Sequence, residues 1–336
     1  MTMSAFSRAH CAAPSKSRGA GIVELMVAAT IGLVLIAGAL SVFSNSRKSY
    51  NVNQDIGRML ENGNFALDEI TRSLQLAGYW GRNNEGSLVR GRTGDGSFTP
   101  IATSNDATND CTAGWYADVS KRIEGLNNTN APYQTTCIPA NRYSANTDVL
   151  VVRHVEPSAI PTASLVANTV YVRSDPVTAQ LFVGTTIPAG LSAVSENFLL
   201  RSMAFYVSPN SVTATDAIPA LRRVEVTAGP LLNVPAQPSA DEIVVPGIEN
   251  LQLQYGITTS GDARSANQYL DADNIAAANW ANVVSVRVWL MVRSETAENG
   301  YLNTNTYSLP DGDFSPPSGD NFRRLLLTRT ISLRNL

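Results

Sequence analysis

Four hydropathy regimes follow one another along the chain. Residues 1–19 are polar and basic, carrying Arg8, Lys16 and Arg18 and no acid. From Leu25 to Phe43 there are 19 positions without a charge. As a helix that run spans roughly 28 Å, enough to cross a bilayer core. From Asn51 the pattern becomes periodic: Val52, Ile56, Met59/Leu60, Gly63, Ala66/Leu67, Ile70, Leu74 and Ala77 recur every three to four residues. Arg58, Glu61, Asp68, Glu69 and Arg72 take the opposite face. This predicts one amphipathic helix. Gly78 is its C-cap, and Gly57 and Gly63 are expected points of bending. A helix over residues 21–77 is roughly 85 Å long.

Residues 79–147 are rich in Gly, Asn, Thr and Ser and read as a large irregular insertion. After them, short apolar or alternating runs predict strands at Val149–Val155, Thr169–Arg173, Gln180–Val183, Leu199–Val207, Arg222–Thr227, Glu242–Val245, Leu251–Ile257, Val283–Arg293 and Arg324–Arg334. Pro- and Gly-containing stretches at 208–220, 228–240 and 309–319 read as loops. The predicted fold class is α+β: a long N-terminal helix, hydrophobic stem then amphipathic half, packed on a mainly antiparallel β-sheet with large loop insertions.

Small residues (Ala28, Ala29, Gly32, Ala37, Gly38, Ala39) punctuate the apolar run, as at helix interfaces in lipid. The basic residues precede it, which keeps the amino end cytoplasmic and exports the bulk of the chain. Arg47 and Lys48 on the far side weaken that bias slightly. Glu24, at the edge of the apolar run, needs a partner there, because a carboxylate near hydrocarbon is costly.

Composition narrows the chemistry. The 336 residues are 44% apolar and 16% charged, with net charge −3. That argues against a nucleic-acid partner. Only 2 His and 3 Cys are present, so most zinc sites and histidine-based triads are excluded. His154 lies in a predicted strand and reads as structural. There is no phosphate-binding loop, and no carboxylate spacing singles out a catalytic pair. No catalytic residue, cofactor or enzyme activity is expected, and no metal site is assigned. Asp271-x-Asp273 and Asp311-x-Asp313 alternate oxygen ligands and are weak Ca²⁺ candidates, but both lack the distal bidentate Glu of an EF-hand and also read as turns.

Gly19-Ala20-Gly21-Ile22-Val23-Glu24-Leu25-Met26 resembles the class III signal of type IV prepilins and pseudopilins. Gly19 and Glu24 match that signal, whereas Ala20 departs from its usual Phe or Met. Four later segments resemble the PilW family of type IV pilus minor pilins: 67–81, with Arg72-Ser73-Leu74-Gln75-Leu76-Ala77-Gly78-Tyr79-Trp80-Gly81; Pro246–Gly256; Trp280–Leu290; and Phe322-Arg323-Arg324 with Leu333-Arg334-Asn335. The residues themselves read structurally. Tyr255, Trp280 and Trp289 are expected core aromatics. Arg287, Arg293, Arg323 and Arg324 form either a positive patch for a partner or a solubilising outer face.

The resemblance implies a leader (1–19), a stem (20–47), an amphipathic helical half (48–78) and a β-rich pilin domain (79–336). It implies cleavage by prepilin peptidase between Gly19 and Ala20, N-methylation of Ala20, and Glu24 as the assembly-register residue. The precursor would sit in the inner membrane as a single-pass protein with its C-terminal domain in the periplasm. It would later occupy the pilus tip, where its role is to prime assembly. Partners would be other minor pilins and the major pilin, with a tip adhesin as a further one. Loss of the leader removes Cys11 and leaves Cys111 and Cys137, an expected disulfide contributing about 3 kcal/mol, with two free thiols as the alternative. A type II secretion minor pseudopilin of the GspJ kind shares stem and Glu, and a membrane-anchored periplasmic enzyme or binding protein is the second alternative.

Overall fold

The computed structural model describes residues 21–92, 113–134, 138–167, 169–213, 215–225, 240–259 and 265–335. The chain divides into two compact units, Met1–Gln54 and Asp55–Leu336. One helix, α1, runs Ile22–Leu76 across both. Its portion in the first unit is solvent-exposed almost throughout, with Leu33, Val34 and Leu35 67%, 72% and 68% exposed. This helix is long and apolar enough to cross a membrane.

The second unit contains β1 (Val89–Arg90), β2 (Ile123–Leu126), β3 (Val149–Val155), β4 (Val170–Ser174), β5 (Ala179–Val183), β6 (Glu196–Ser208), β7 (Ala220–Glu225) and β8 (Ala240–Pro246). These are followed by β9 (Ile248–Ile257), β10 (Gln268–Leu270), β11 (Val283–Arg293), β12 (Tyr307–Leu309), β13 (Gly312–Phe314) and β14 (Arg324–Ser332). The first eight form one sheet, ordered β1-β5-β4-β6-β3-β2, with β7 joining β6 to β8. A second sheet runs β10-β9-β11-β14, and β12 and β13 form a hairpin. Only β1 and β5 pair in parallel among the described strands. All nine predicted strands are present. The hairpin lies at the start of the stretch read as a 309–319 loop, and β1, β2 and β10 fall where no strand was predicted. These elements are two to four residues long, too short to display a period.

Side-chain parity explains how the sheets stack. On β9, Leu251, Leu253, Tyr255 and Ile257 share one face with Val286, Val288, Leu290 and Val292 of β11. That face meets Leu150, Val152, Met203, Phe205 and Val207 of the large sheet, and the helix adds Met59, Ala66, Leu67, Ile70 and Leu74. The alternate residues of β3, Val149, Val151 and Val155, enter a second core with Trp80, Trp115, Tyr116 and Tyr206. All seven residues of β3 are therefore buried, which accounts for its unbroken apolar run. Part of the segment read as an irregular insertion is thus a wall of this second core.

The predicted helical stripe holds from Met59 to Ala77, but Ile56 and Leu60 are 38% and 40% exposed. Gly63 has a role other than bending. A Cβ there would lie 2.4 Å from Leu327 Cδ1 and 2.8 Å from Val292 Cγ2, so the missing side chain lets the helix lie close on β11 and β14. Gly78 adopts φ +79° and ends the helix as expected.

Candidate functional site

Glu24 lies in the first turn of α1, where the unpaired N–H groups of the helix end favour a carboxylate. Gly19, Ala20, Cys111 and Cys137 lie outside the described residues, so the cleavage position and the disulfide have no structural counterpart here.

His154 is buried, and its Nδ1 lies 2.9 Å from the Val155 carbonyl oxygen. Burial pushes its pKa down, which favours a neutral, structural imidazole. Tyr255 and Trp280 are core aromatics, edge to face at 4.9 Å. Trp289 is not, being half-buried on the other face of its sheet with the Arg287 guanidinium 5.7 Å from its ring centroid.

The four arginines do not make a positive patch. Arg324 is paired with Glu249 and Asp320, Arg293 with Glu249, and Arg323 with Glu298. Arg287 stacks over Tyr269 at 4.1 Å. Three of the four charges are taken up in ion pairs and Arg287 lies on an aromatic face, which leaves the reading as structural arginines.

The acidic candidates separate into different roles. Asp313 accepts from the Ser308 hydroxyl at 2.9 Å and is not part of a cluster with Asp311. Asp271 accepts from Gln254 Nε2 at 3.0 Å. Asp311 and Asp273 instead come to the turn after β2, where Asn128 Nδ2 donates to Asp311 and Asn127 Nδ2 lies 3.4 Å from Asp273 Oδ1. Asn128 has φ 53°, a conformation asparagine tolerates better than most residues.

The residue that organises this layer is Asp148, immediately before β3 and 2% exposed. Its carboxylate accepts the N–H of Asn128 at 3.0 Å and of Leu253 at 2.7 Å, tying the large sheet to β9. Burial pushes its carboxyl up to about 7, against the pull of those two N–H groups. Gln252 reaches in from β9, its Nε2 3.0 Å from the Asn146 carbonyl oxygen and 3.4 Å from Asn128 Oδ1. Among the described residues no three His, Cys, Asp or Glu side chains gather as a metal site. Sequence reasoning missed Asp148, Asn127 and Gln252. The Asn127-Asn128 pair signals a turn, but nothing local says that Asp311, 183 residues on, meets it.

No curated protein matches the chain. Among solved structures, the type IV-like pilin TTHA1219 from Thermus thermophilus is similar at 12% identity, over 60% of this chain and 83% of that one, with a TM-score of 0.27. Residues 204–335 match the family model of PilW, type IV pilus-assembly protein W. That stretch holds the end of β6 and β7 to β14, including three of the four segments singled out in the sequence. Residues 204–335 are thus similar to the family of type IV pilus-assembly protein W.

Proposed function

We propose that this chain is a minor pilin of a type IV pilus that primes assembly and sits at the pilus tip. The supporting observation is that one helix supplies both an exposed apolar stretch and, from Met59 to Leu74, part of the core of a domain whose C-terminal strands match the PilW family. The precursor waits in the inner membrane on that apolar stretch, with its β-rich domain in the periplasm. Prepilin peptidase cuts between Gly19 and Ala20, and Ala20 is methylated. Assembly is packing: stems leave lipid and bury against those of other minor pilins and the major pilin. Glu24 sets register by meeting the terminal ammonium of a neighbour. An unmatched buried carboxylate costs several kcal/mol, so a subunit out of register is disfavoured. The large domain is hard to repeat around a thin filament, which favours a rare terminal position. The role is structural, and no catalytic step is assigned.

Glu24→Ala should be processed normally yet fail to restore pili to a strain lacking this protein. Normal pilus numbers would remove the register role. Gly19→Ala should leave an unprocessed precursor on an immunoblot, and wild-type mobility would defeat the cleavage assignment.

A further inference from the structure

β14 closes one end of the four-stranded sheet, and nothing among the described residues pairs with its outer edge. Leu333 N donates to the Val284 carbonyl oxygen, and Ser294 N to that of Arg323. The register of β14 on β11 is unbroken between these two bonds. Odd-numbered residues of β14 therefore bond to β11, while Leu326, Thr328, Thr330 and Ser332 turn their N–H and C=O groups away from it. Those groups have no hydrogen-bond partner among the described residues.

The other edges of the two sheets are blunted. β1, β2 and β10 are two to four residues long, and β8 has a register shift and ends in Pro246. Short strands, bulges and proline are common protections of an edge. β14 has none of them: its nine residues pair in unbroken sequence, with no Lys and no Pro. Its one inward charge, Arg329, is already paired with Asp68 of α1.

A second observation lies beside that edge. A Cβ at Gly63 would meet Leu327, Asp68 pairs with Arg329, and Asn335 Nδ2 lies 3.2 Å from the Gln75 carbonyl oxygen. α1 therefore runs alongside β14 in the same direction. Leu60 and Ile56, one and two helical turns before Gly63, share its face and are half-exposed. Leu325 and Leu327 are only partly buried. Half-covered apolar side chains thus line the inner side of an edge that lacks a strand.

Charge selects the occupant. Residues 321–335 include four arginines and no acid. Arg323, Arg324 and Arg329 are paired with acids from elsewhere in the domain or from the preceding loop. Arg334, just past β14, is exposed and makes no ion pair among the described residues. On the outer face of the same sheet, Arg287 rests on aromatic rings and not on a carboxylate. A second β14 laid against the first brings only further arginine to this edge, and like charges across strands repel. A strand carrying Asp or Glu meets complementary charge.

We propose that β14 accepts an extended, acidic segment of a partner polypeptide. The segment pairs with the backbone groups of Leu326, Thr328, Thr330 and Ser332, sets alternate apolar side chains beside Leu325 and Leu327, and brings a carboxylate to Arg334. In strand additions of this kind main-chain hydrogen bonds give the affinity and alternate side chains the selectivity. This inference does not depend on the pilin reading.

The test uses the full chain in detergent and a fluorescent synthetic peptide, Thr-Val-Glu-Val-Thr-Val-Glu-Val-Thr with blocked ends, followed by anisotropy. A version with Lys in place of Glu is the control. The Glu peptide is expected to bind saturably below about 1 mM, and the Lys peptide more weakly. Residue-resolved hydrogen exchange should show the amides of Leu326, Thr328, Thr330 and Ser332 exchanging freely in the chain alone and protected by the Glu peptide. Thr328→Pro removes an outward N–H and no bond to β11, so it should fold and yet lose the peptide. Arg334→Glu, at an exposed side chain that leaves the fold intact, should weaken the Glu peptide and strengthen the Lys peptide. Absence of saturable binding overturns the proposal, as do protection confined to other amides, equal binding of the two peptides, or full binding by folded Thr328→Pro. A dimer of the chain alone that Thr328→Pro abolishes, read by analytical ultracentrifugation, also overturns it and assigns the edge to a second copy.

Discussion

Arg324 holds together a buried ion-pair network, and its loss should be costly. Its side chain is 2% exposed, and its guanidinium meets Glu249 and Asp320, themselves only 18% and 10% exposed. Each contact is two-pronged, with Nη2 3.0 Å from Glu249 Oε1 and Nη1 and Nη2 2.8 and 2.9 Å from Asp320. The bridge ties the first residue of β14 to the start of β9 and to the segment before β14. In Arg324→Ala, Glu249 keeps Arg293, 3.3 Å away, and Asp320 loses its ion-pair partner among the described residues. Removing one partner of a buried pair leaves uncompensated charge and costs about 3–5 kcal/mol. In a unit of this size that lowers the thermal midpoint by roughly 6–20 °C. Thermal unfolding of the detergent-solubilised chain, followed by circular dichroism, measures it. Arg324→Lys should fall between, because an ammonium cannot hold both carboxylates in two-pronged fashion. The Arg324 hydrogen bond holds the Asp320 carboxyl below the usual carboxylate range. The stability it contributes is therefore present above the unfolded pKa and lost as pH falls through the folded one. That acid-side loss should shrink in Arg324→Ala. A cost below about 1 kcal/mol, the value of an exposed pair, would refute the reasoning.

Two further outcomes are expected. Gly63→Val would drive a branched side chain into Leu327 and Val292, and overpacking of this kind costs about 1–3 kcal/mol; a midpoint within error of wild type would show that both neighbours can move aside. Asp148 is pushed up to about 7 by burial, so between its unfolded pKa near 4 and 7 the folded chain holds more protons than the unfolded chain, and stability must fall as pH rises through that window. The midpoint should drop from pH 5 to pH 8, and Asp148→Asn should flatten part of that drop, with Glu225 and Asp311, whose carboxyls burial also raises, contributing to the rest; equal slopes in both proteins would contradict the assignment.

How far each element was legible depends on how local its cause is. The apolar run, the helical stripe and the longer strands declare themselves by period, since 3.6- and 2-residue repeats are written in adjacent side chains. Val283–Arg293 was read to the residue for that reason, and Val149–Val155 as a short apolar run bounded by polar segments. Ile56 and Leu60 carry the right period yet remain partly exposed, because period says which face is apolar and not how far a sheet extends to cover it. Trp115 and Tyr116 sat in polar surroundings that looked like loop, and only the second face of the large sheet gives them a core.

Local sequence pattern carries the helix and its change of character, the nine longer strands, the α+β class, and the family resemblance matched over residues 204–335. Which residues meet across long separations follows from the packed sheets alone. The tertiary structure split the strands between two sheets, turned Arg293, Arg323 and Arg324 from a candidate patch into ion pairs, and gave Gly63 its role as a point of close approach. It also brought Asp148 and Asn127 to Asp311, more than 150 residues away. Periodicity is a property of neighbours along the chain, whereas charge pairing, close approach and burial depend on neighbours in space, which exist only once the sheets have stacked.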